Sequence, residues 1–298
     1  MTHKIKKELV KRGLFKHIYI LAFVVVVFFM GINFIFIKNT NRELPPLWSA
    51  SIRYLSASII LLYIARIKNI NLLNTKNFKV AVLYGVIAYG ANSGLLYYAL
   101  VKTSSIIASI IFSSIPLSTL IFACLFKIEK LTLKGIISSI LVITGIILIS
   151  YQQIRIDVSI IPIISLLIAS IFAAGSSIII KKNPSIHPIS LNAISMASGG
   201  IILLGLSMLT KEQILIPIQL VTWLSLTWLI ISSVIMFSLF IWLIKNWSAV
   251  KTSYVSVLAP IATIAAGHFL LDERLTPLII TGGLIVSAGS LIGIRLRT

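Results

Sequence analysis

The chain repeats itself once, at a fixed offset of 144 positions. Phe28, Gly31, Lys38 and Asn39 return as Phe172, Gly175, Lys182 and Asn183. Pro116, Thr119, Glu129, Leu131, Thr132 and Gly145 return at the same offset as Pro260, Thr263, Glu273, Leu275, Thr276 and Gly289. One gapless shift accounts for both ends, so chance likeness between greasy segments is a poor explanation. Each copy holds five apolar stretches of about membrane-crossing length. Five is odd, so the second copy must enter the membrane from the opposite face. The expected fold is an all-α integral membrane protein with ten transmembrane helices in two inverted five-helix repeats. Such repeats are characteristic of secondary transporters.

The spans read as 18–37, 47–67, 78–100, 103–126, 135–150, 158–180, 189–209, 217–244, 249–271 and 276–294. Crossing ~30 Å of hydrocarbon takes ~20 residues, and 135–150, the one short stretch, has room to extend into its flanks. This divides the chain into a basic tail (1–17), a first repeat (18–150) and a second repeat (158–295). Hydrophobic residues make up 58% of the chain and charged ones 11%, with a mean hydropathy of +1.06. Soluble domains carry about 25% charge, so lipid is the solvent for much of this surface.

The net charge of +19 is distributed as a topology signal. One side collects nineteen basic residues, among them the tail lysines, Lys127, Lys130, Lys181 and Lys182, while the other holds Lys38, Arg42, Lys102, Arg155, Lys211 and Arg274. The positive-inside rule then puts both termini in the cytoplasm of a multi-pass protein of the cell membrane. Nucleic-acid binding would require base-reading polar and aromatic residues among the charges, and the tail offers few, so no nucleic acid is expected as a partner. The first stretch exceeds the 7–15 residues of a signal-peptide core and leads into Asn39-Thr40-Asn41 rather than a small-residue cleavage site, so it reads as a retained helix.

Polar groups are costly inside a span, so function is written where they occur. All seven acids (Glu8, Glu43, Glu129, Asp157, Glu212, Asp272, Glu273) fall in loops or at helix ends. Their absence from the spans argues against ion coupling through a membrane carboxylate and against a pocket for organic cations. Arg53 is the one charge well inside a span. It reads either as a partner for a substrate carboxylate or phosphate, or as a group satisfied by backbone carbonyls or outer headgroups.

In the third span Tyr89, Asn92, Ser93 and Tyr97 share one side of a regular helix, and the eighth offers Ser238 and Trp242. They read as a cavity lining or as interfacial aromatics. The ninth span carries a small or polar stripe, Thr252, Ser256, Pro260, Thr263 and Gly267, which suits close helix packing and also leaves room for a ligand. Pro116 and Pro260 each remove a backbone donor and free the carbonyl four residues earlier, marking expected helix breaks. His268 is a candidate proton carrier or a hydrogen-bonded structural histidine, and Cys124 reads as a small buried hydrophobe.

The two copies Pro116…Glu129-Lys130-Leu131-Thr132…Gly145 and Pro260…Glu273-Arg274-Leu275-Thr276…Gly289, with Arg53 after Leu47-Trp48, resemble the EamA-type branch of the drug/metabolite transporter superfamily. The likeness covers nearly the whole chain. It departs from the family pattern only mildly, with Glu129-Lys130 where Glu-Arg is more usual. The resemblance implies ten helices, cytoplasmic termini, and a central cavity lined by helices 1, 3, 4, 6, 8 and 9. It also implies export or exchange of a small metabolite, such as an amino acid or nucleobase, by alternating access.

Family geometry combined with burial cost selects Asn33, Arg53, Tyr89, Asn92, Tyr97, Ser177, Trp242, Ser256 and Thr263 as substrate-binding candidates. Bulky hydrophobic drugs are the alternative cargo, and a non-transporting scaffold or receptor the alternative role. Four scattered histidines, one cysteine and no intramembrane acid make no catalytic or metal-binding constellation, so neither enzyme activity nor a cofactor is expected. Ten helices suffice for a complete unit, as monomer or homodimer.

Overall fold

A computed structural model describes residues 3–72, 75–126, 133–155, 160–247, 249–273 and 275–294. The turn Glu129–Thr132, Asp157, Arg274, Arg295 and Arg297 lie outside the described residues. The first repeat comprises α1 (His3–Thr40), α2 (Pro46–Ile67), α3 (Thr75–Gly85), a π-helical segment (Val86–Ala91), α4 (Asn92–Lys102), α5 (Ser105–Phe112), α6 (Ile115–Leu125) and α7 (Leu133–Arg155). The second comprises α8 (Ile161–Lys182), α9 (Pro188–Leu209), α10 (Leu220–Asn246), α11 (Ala249–Ser253), α12 (Val255–Leu271) and α13 (Pro277–Ile294).

Ten crossings result. The third is α3, the π segment and α4 end to end; the fourth is α5–α6; the ninth is α11–α12. Among the described residues, eight are long and apolar enough to cross a membrane, and α13 adds an apolar stretch at Pro277–Gly289. The fifth crossing is not short: α7 runs 23 residues, extending past both ends of its apolar run.

Local sequence sets the ends. Pro46, Pro162 and Pro188 occupy the first turns of α2, α8 and α9, where the missing N–H costs nothing. The Ser104 hydroxyl caps α5 by accepting from the Ile107 N–H at 3.1 Å. Asp272, in a left-handed conformation with φ 54°, terminates α12.

Helices in lipid gain little from burying apolar surface against one another, so close approach through small residues holds the bundle together. The repeat-paired glycines Gly145 and Gly289 meet at one seam, where α7 crosses α13. A Cβ on Gly145 would fall 2.7 Å from the Gly282 carbonyl oxygen, and one on Gly289 would fall 2.8 Å from Leu141 Cβ. The Ser138 hydroxyl donates to the Gly289 carbonyl across this seam at 2.6 Å. α3 and the π segment lie equally close to α9, where a Cβ on Gly199 would meet the Gly85 carbonyl oxygen at 2.7 Å. Large side chains such as Leu21, Ile59, Ile261 and Phe269 stay exposed on the outside of the bundle, as lipid contact permits.

Acids gathered at one end of the bundle tie the repeats together by capping helices of the other repeat. Glu273 accepts from the N–H groups of Ser105 (2.7 Å) and Ile106 (3.1 Å), at the start of α5. Glu212 accepts from Leu47 (3.2 Å) and Trp48 (2.8 Å), at the start of α2. Glu43 accepts from Ile218 and Gln219, at the start of α10. Each carboxylate meets the positive end of a helix dipole belonging to the other repeat.

Candidate functional site

Between the repeats is a cavity bounded by the first, second, third, fourth, sixth, eighth and ninth crossings. About 100 Å³ of it is open to the centres of water molecules, room for on the order of seven to ten waters. Among the described residues, none of α7, α9 or α13 lines its wall. The second crossing enters it through Arg53 and Tyr54, an addition to the helices that family resemblance implied.

The repeat is visible in the wall. Asn33 and Ser177, Asn92 and Met236, Ser93 and Phe237, Leu96 and Phe240, and Phe112 and Ser256 are repeat-equivalent pairs, and all ten residues line the cavity. The cavity therefore straddles the axis that relates the two halves. The chemistry does not follow the symmetry. On the third and eighth crossings, polar Asn92 and Ser93 face their apolar equivalents Met236 and Phe237. Arg53 has Ala197 as its equivalent, so the one charge in the wall is unpaired by the repeat.

Arg53 is 2% exposed. Its Nε donates to Ser233 Oγ at 2.7 Å and its Nη1 to Tyr97 Oη at 3.2 Å. The guanidinium lies 5.1 Å from the Tyr54 ring centre and 6.0 Å from that of Phe237, both within cation–π range. Tyr54 Oη and Ser93 Oγ share a hydrogen bond of 2.8 Å, which fixes α2 against α4 at the level of Arg53 and Asn92.

Asn92 donates through Nδ2 to the Ala88 carbonyl at 3.2 Å, while its buried Oδ1 has no partner. Asn33 is satisfied on both sides: Nδ2 reaches Met236 Sδ at 3.6 Å, and Oδ1 accepts from Trp228 Nε1 at 3.1 Å. Ser177 and Ser256 bond back to the carbonyls of Ala173 (3.2 Å) and Ser253 (2.6 Å). Serines commonly satisfy themselves this way inside a helix.

Of the nine residues selected from the sequence, Asn33, Arg53, Asn92, Ser177 and Ser256 line the cavity. Tyr97 stands behind the wall, holding Arg53. Tyr89 points to the seventh crossing, where its hydroxyl donates to Asn192 Oδ1 at 2.6 Å. The π-helical segment explains this placement: its Asn92 N–H bonds to the Ile87 carbonyl, five residues back, and the wider turn opens the angle between Tyr89 and Asn92. Trp242 stacks on Tyr19 at 5.0 Å near the other end of α10. Thr263 is consumed in packing, its hydroxyl donating to the Gly31 carbonyl at 2.9 Å.

The prolines behave differently from each other. The fourth crossing breaks at Ser113–Ser114, ahead of Pro116, which then sits in the first turn of α6. Pro260 lies inside α12 and leaves the Ser256 carbonyl without its helical donor. The Ser113 hydroxyl, released by the break in the other repeat, donates to that carbonyl at 3.0 Å.

Phe34, Phe112, Met236, Phe237 and Phe240 belong to the apolar wall and were not foreseen. Apolar side chains carry no signal in spans that are apolar throughout. For Phe112, Met236, Phe237 and Phe240, the repeat offset from other wall positions was the one clue available.

Residues 17–151 and 160–295 each match the model of a family described as EamA-like transporters. An uncharacterized transporter of Archaeoglobus fulgidus is 27% identical over 278 residues, covering 90% of this chain and 96% of that protein. An uncharacterized protein of Methanocaldococcus jannaschii is 32% identical over 134 residues, 45% of this chain and 96% of that protein, a length close to a single repeat. A crystal structure at 11% identity superposes with a TM-score of 0.69 over 93% of this chain and 97% of that one, which shows the same fold.

Proposed function

The chain belongs to the EamA-like transporter family, and from that premise we propose that it is a secondary carrier of a small neutral or zwitterionic metabolite, an amino acid or nucleobase in size. It works as an exporter or exchanger, by alternating access to the cavity between its repeats. The observation that carries this reading is the cavity itself: shared by repeat-equivalent residues of both halves, with a few polar groups set in an aromatic wall.

No acid lies in any crossing, which supports facilitated or exchange transport without proton or sodium coupling through a membrane carboxylate. The nineteen-to-six split of basic residues supports cytoplasmic termini. Proteoliposomes loaded with a metabolite panel test the carrier reading. Saturable, counterflow-stimulated flux without an imposed ion gradient is expected, and non-saturating flux or strict gradient dependence contradicts it. Impermeant labelling of single cysteines near Lys211 and near Lys68, in a Cys124→Ala background, tests the orientation. Equal labelling of both from one side rules it out.

A further inference from the structure

We infer that the segment 212–219, between α9 and α10, docks on the membrane itself. It lies in the boundary between headgroups and acyl chains of the leaflet at its end of the bundle, with Ile214, Ile216 and Ile218 seated in lipid. The surface lies outside the cavity and goes beyond the carrier reading, whatever the cargo.

The chain leaves α9 abruptly. Lys211 takes a left-handed conformation with φ 58°, the Glu212 N–H bonds back to the Ser207 carbonyl at 2.9 Å, and residues 212–218 run on without helix or strand. Exposure then alternates. Ile214 is 59%, Ile216 75% and Ile218 90% exposed, while Leu215 between them is 38% exposed and Pro217 is buried. Period two is the pattern of an extended chain, so three isoleucines stand in a row on its outward face.

The repeat does not impose this row. Ile70 and Leu72 are the equivalents of Ile214 and Ile216. Both are half-buried, and Leu72 packs against the core. The first repeat turns the apolar residues of this loop inward and the second turns them out.

Neighbouring surfaces identify the occupant. Leu209 at the end of α9 and Leu220 and Leu224 at the start of α10 are exposed, so the row continues the faces that these crossings present to lipid. From Gln213 to Ile244 the chain has no charged residue. A continuous exposed apolar patch of this kind marks an interaction surface. Two indoles lie at the same level: Trp223 is exposed in the first turn of α10, and Trp48 Nε1 donates to the Leu215 carbonyl at 2.8 Å. Tryptophan favours the membrane interface.

Helix length sets the depth. α10 has 27 residues, about 40 Å at ~1.5 Å per residue. That exceeds the ~30 Å of hydrocarbon and approaches the ~40–45 Å that includes headgroups. The first turn of α10 therefore emerges at headgroup level, and the segment leading into it lies there too. An extended chain cannot pair its own backbone groups, so hydrocarbon would exclude it while the hydrated interface accepts it. Its inward side is fastened to the first repeat. Glu212 accepts from the Leu47 and Trp48 N–H groups, and Glu43 accepts from those of Ile218 and Gln219. Polar groups face protein and isoleucines face lipid.

Fluorescence quenching of the full chain in liposomes tests the assignment. Ile216→Cys and Ile218→Cys, in the Cys124→Ala background, each carry an environment-sensitive label, with Lys211→Cys as the water-facing reference. Phospholipid brominated near the glycerol end of its acyl chains should quench the isoleucine-site labels roughly threefold more than the reference, and aqueous iodide should show the reverse order. Iodide quenching as strong as at the reference would overturn the docking. Quenching confined to bromines at the chain ends would overturn the interfacial depth. Loss of bromolipid quenching as protein density rises, with disulfide crosslinking of Ile216→Cys between copies, would give the surface to a second copy and overturn the lipid assignment.

The unaltered chain decides the matter even if a variant fails to fold. A phospholipid carrying a diazirine near its glycerol should crosslink to residues 214–218, mapped by mass spectrometry. Crosslinks at Leu209 and Leu220 with none between them would overturn the proposal. Neither readout depends on flux, so failure here leaves the carrier reading standing.

Discussion

Two helix crossings, equivalent under the repeat, pack in opposite ways. Where α1 meets α12, a Cβ on Gly31 would fall 2.5 Å from the Ala259 carbonyl oxygen and 2.7 Å from Ala262 Cβ. Where α8 meets α6, the nearest atoms to a Cβ on Gly175 are those of the Phe122 ring, at 3.8 Å and beyond. The residues explain the difference. Ala259, Ala262 and Ala266 on α12 correspond to Ile115, Ser118 and Phe122 in the first repeat. Three alanines let the first crossing close until the Thr263 hydroxyl reaches the Gly31 carbonyl. An isoleucine and a phenylalanine hold the second apart, and Thr119 bonds only to its own helix, at the Ile115 carbonyl. An inverted repeat therefore shares topology without sharing packing. The closed seam lies toward the outer side and the spaced one toward the inner, on the proposed orientation.

Substituting the glycines should break the comparison most sharply. Gly31→Leu must push apart backbone as well as side chains and should destabilise the protein by about 3 kcal/mol or more, with loss of flux. Gly31→Ala should cost roughly 1–3 kcal/mol. Gly175→Ala has ordinary contact distance available and removes a helix glycine, so it should be neutral or stabilising by up to about 1 kcal/mol. Thermal unfolding of the pair measures both. Equal losses would mean that the crossings are packed alike.

The carboxylate that locks the same end comes next. Glu273, 8% exposed, serves two backbone N–H groups of α5. Glu273→Gln keeps the size but loses the charge and one acceptor, and should cost about 1.5–3 kcal/mol. If this contact belongs to the repeat, Glu129→Gln should cost a similar amount. A much smaller loss at Glu129 would confine the lock to one face. Below these in size comes the hydroxyl pair. Thr263→Val removes a bond between helices and should cost about 1 kcal/mol, while Thr119→Val should change stability little.

The sequence carried the architecture because its signals are ones that lipid enforces. Span length, basic loops and the paired Gly145 and Gly289 all follow from what a bilayer permits. The site was legible only in its costly members. Arg53 and Asn92 stood out as polar groups at membrane depth, and both line the cavity. Tyr89 and Thr263 stood out for the same reason, yet helix packing uses them, at Asn192 and at Gly31. Cost identifies a residue that needs a partner and does not say whether the partner is protein or cargo. The π-helical turn at Val86–Ala91 was invisible, because nothing in its composition departs from an ordinary apolar helix. Glu273 read as a loop acid, since capping a distant helix is a tertiary event.

The smallest expected effect separates the two ends by their titration. Glu43 and His187 are equivalent under the repeat, and each serves a helix N-terminus. Glu43 accepts from Ile218 and Gln219 of the other repeat, and His187 Nδ1 accepts from the Ile189 N–H of its own helix at 3.3 Å. Hydrogen bonds from the Thr222 hydroxyl and the Ile218 N–H hold the Glu43 carboxyl below its ordinary range. Partial burial, then repulsion from Lys245 and Lys68, holds the His187 imidazole below its own. Both groups are depressed in the folded state, so both contributions are complete above the ordinary value and fade as pH falls below it. The windows differ. The His187 contribution should begin to fade below about pH 6.5, and that of Glu43 only below about pH 4.3. Lowering the pH from 7.5 to 5.5 should therefore lower the unfolding midpoint slightly through the His187 end and not through the Glu43 end. His187→Ser, a cap that does not titrate, should flatten that part of the profile, and Glu43→Gln should leave it in place. A profile between pH 7.5 and 5.5 that changes with Glu43→Gln and not with His187→Ser would reverse the assignment of the two ends.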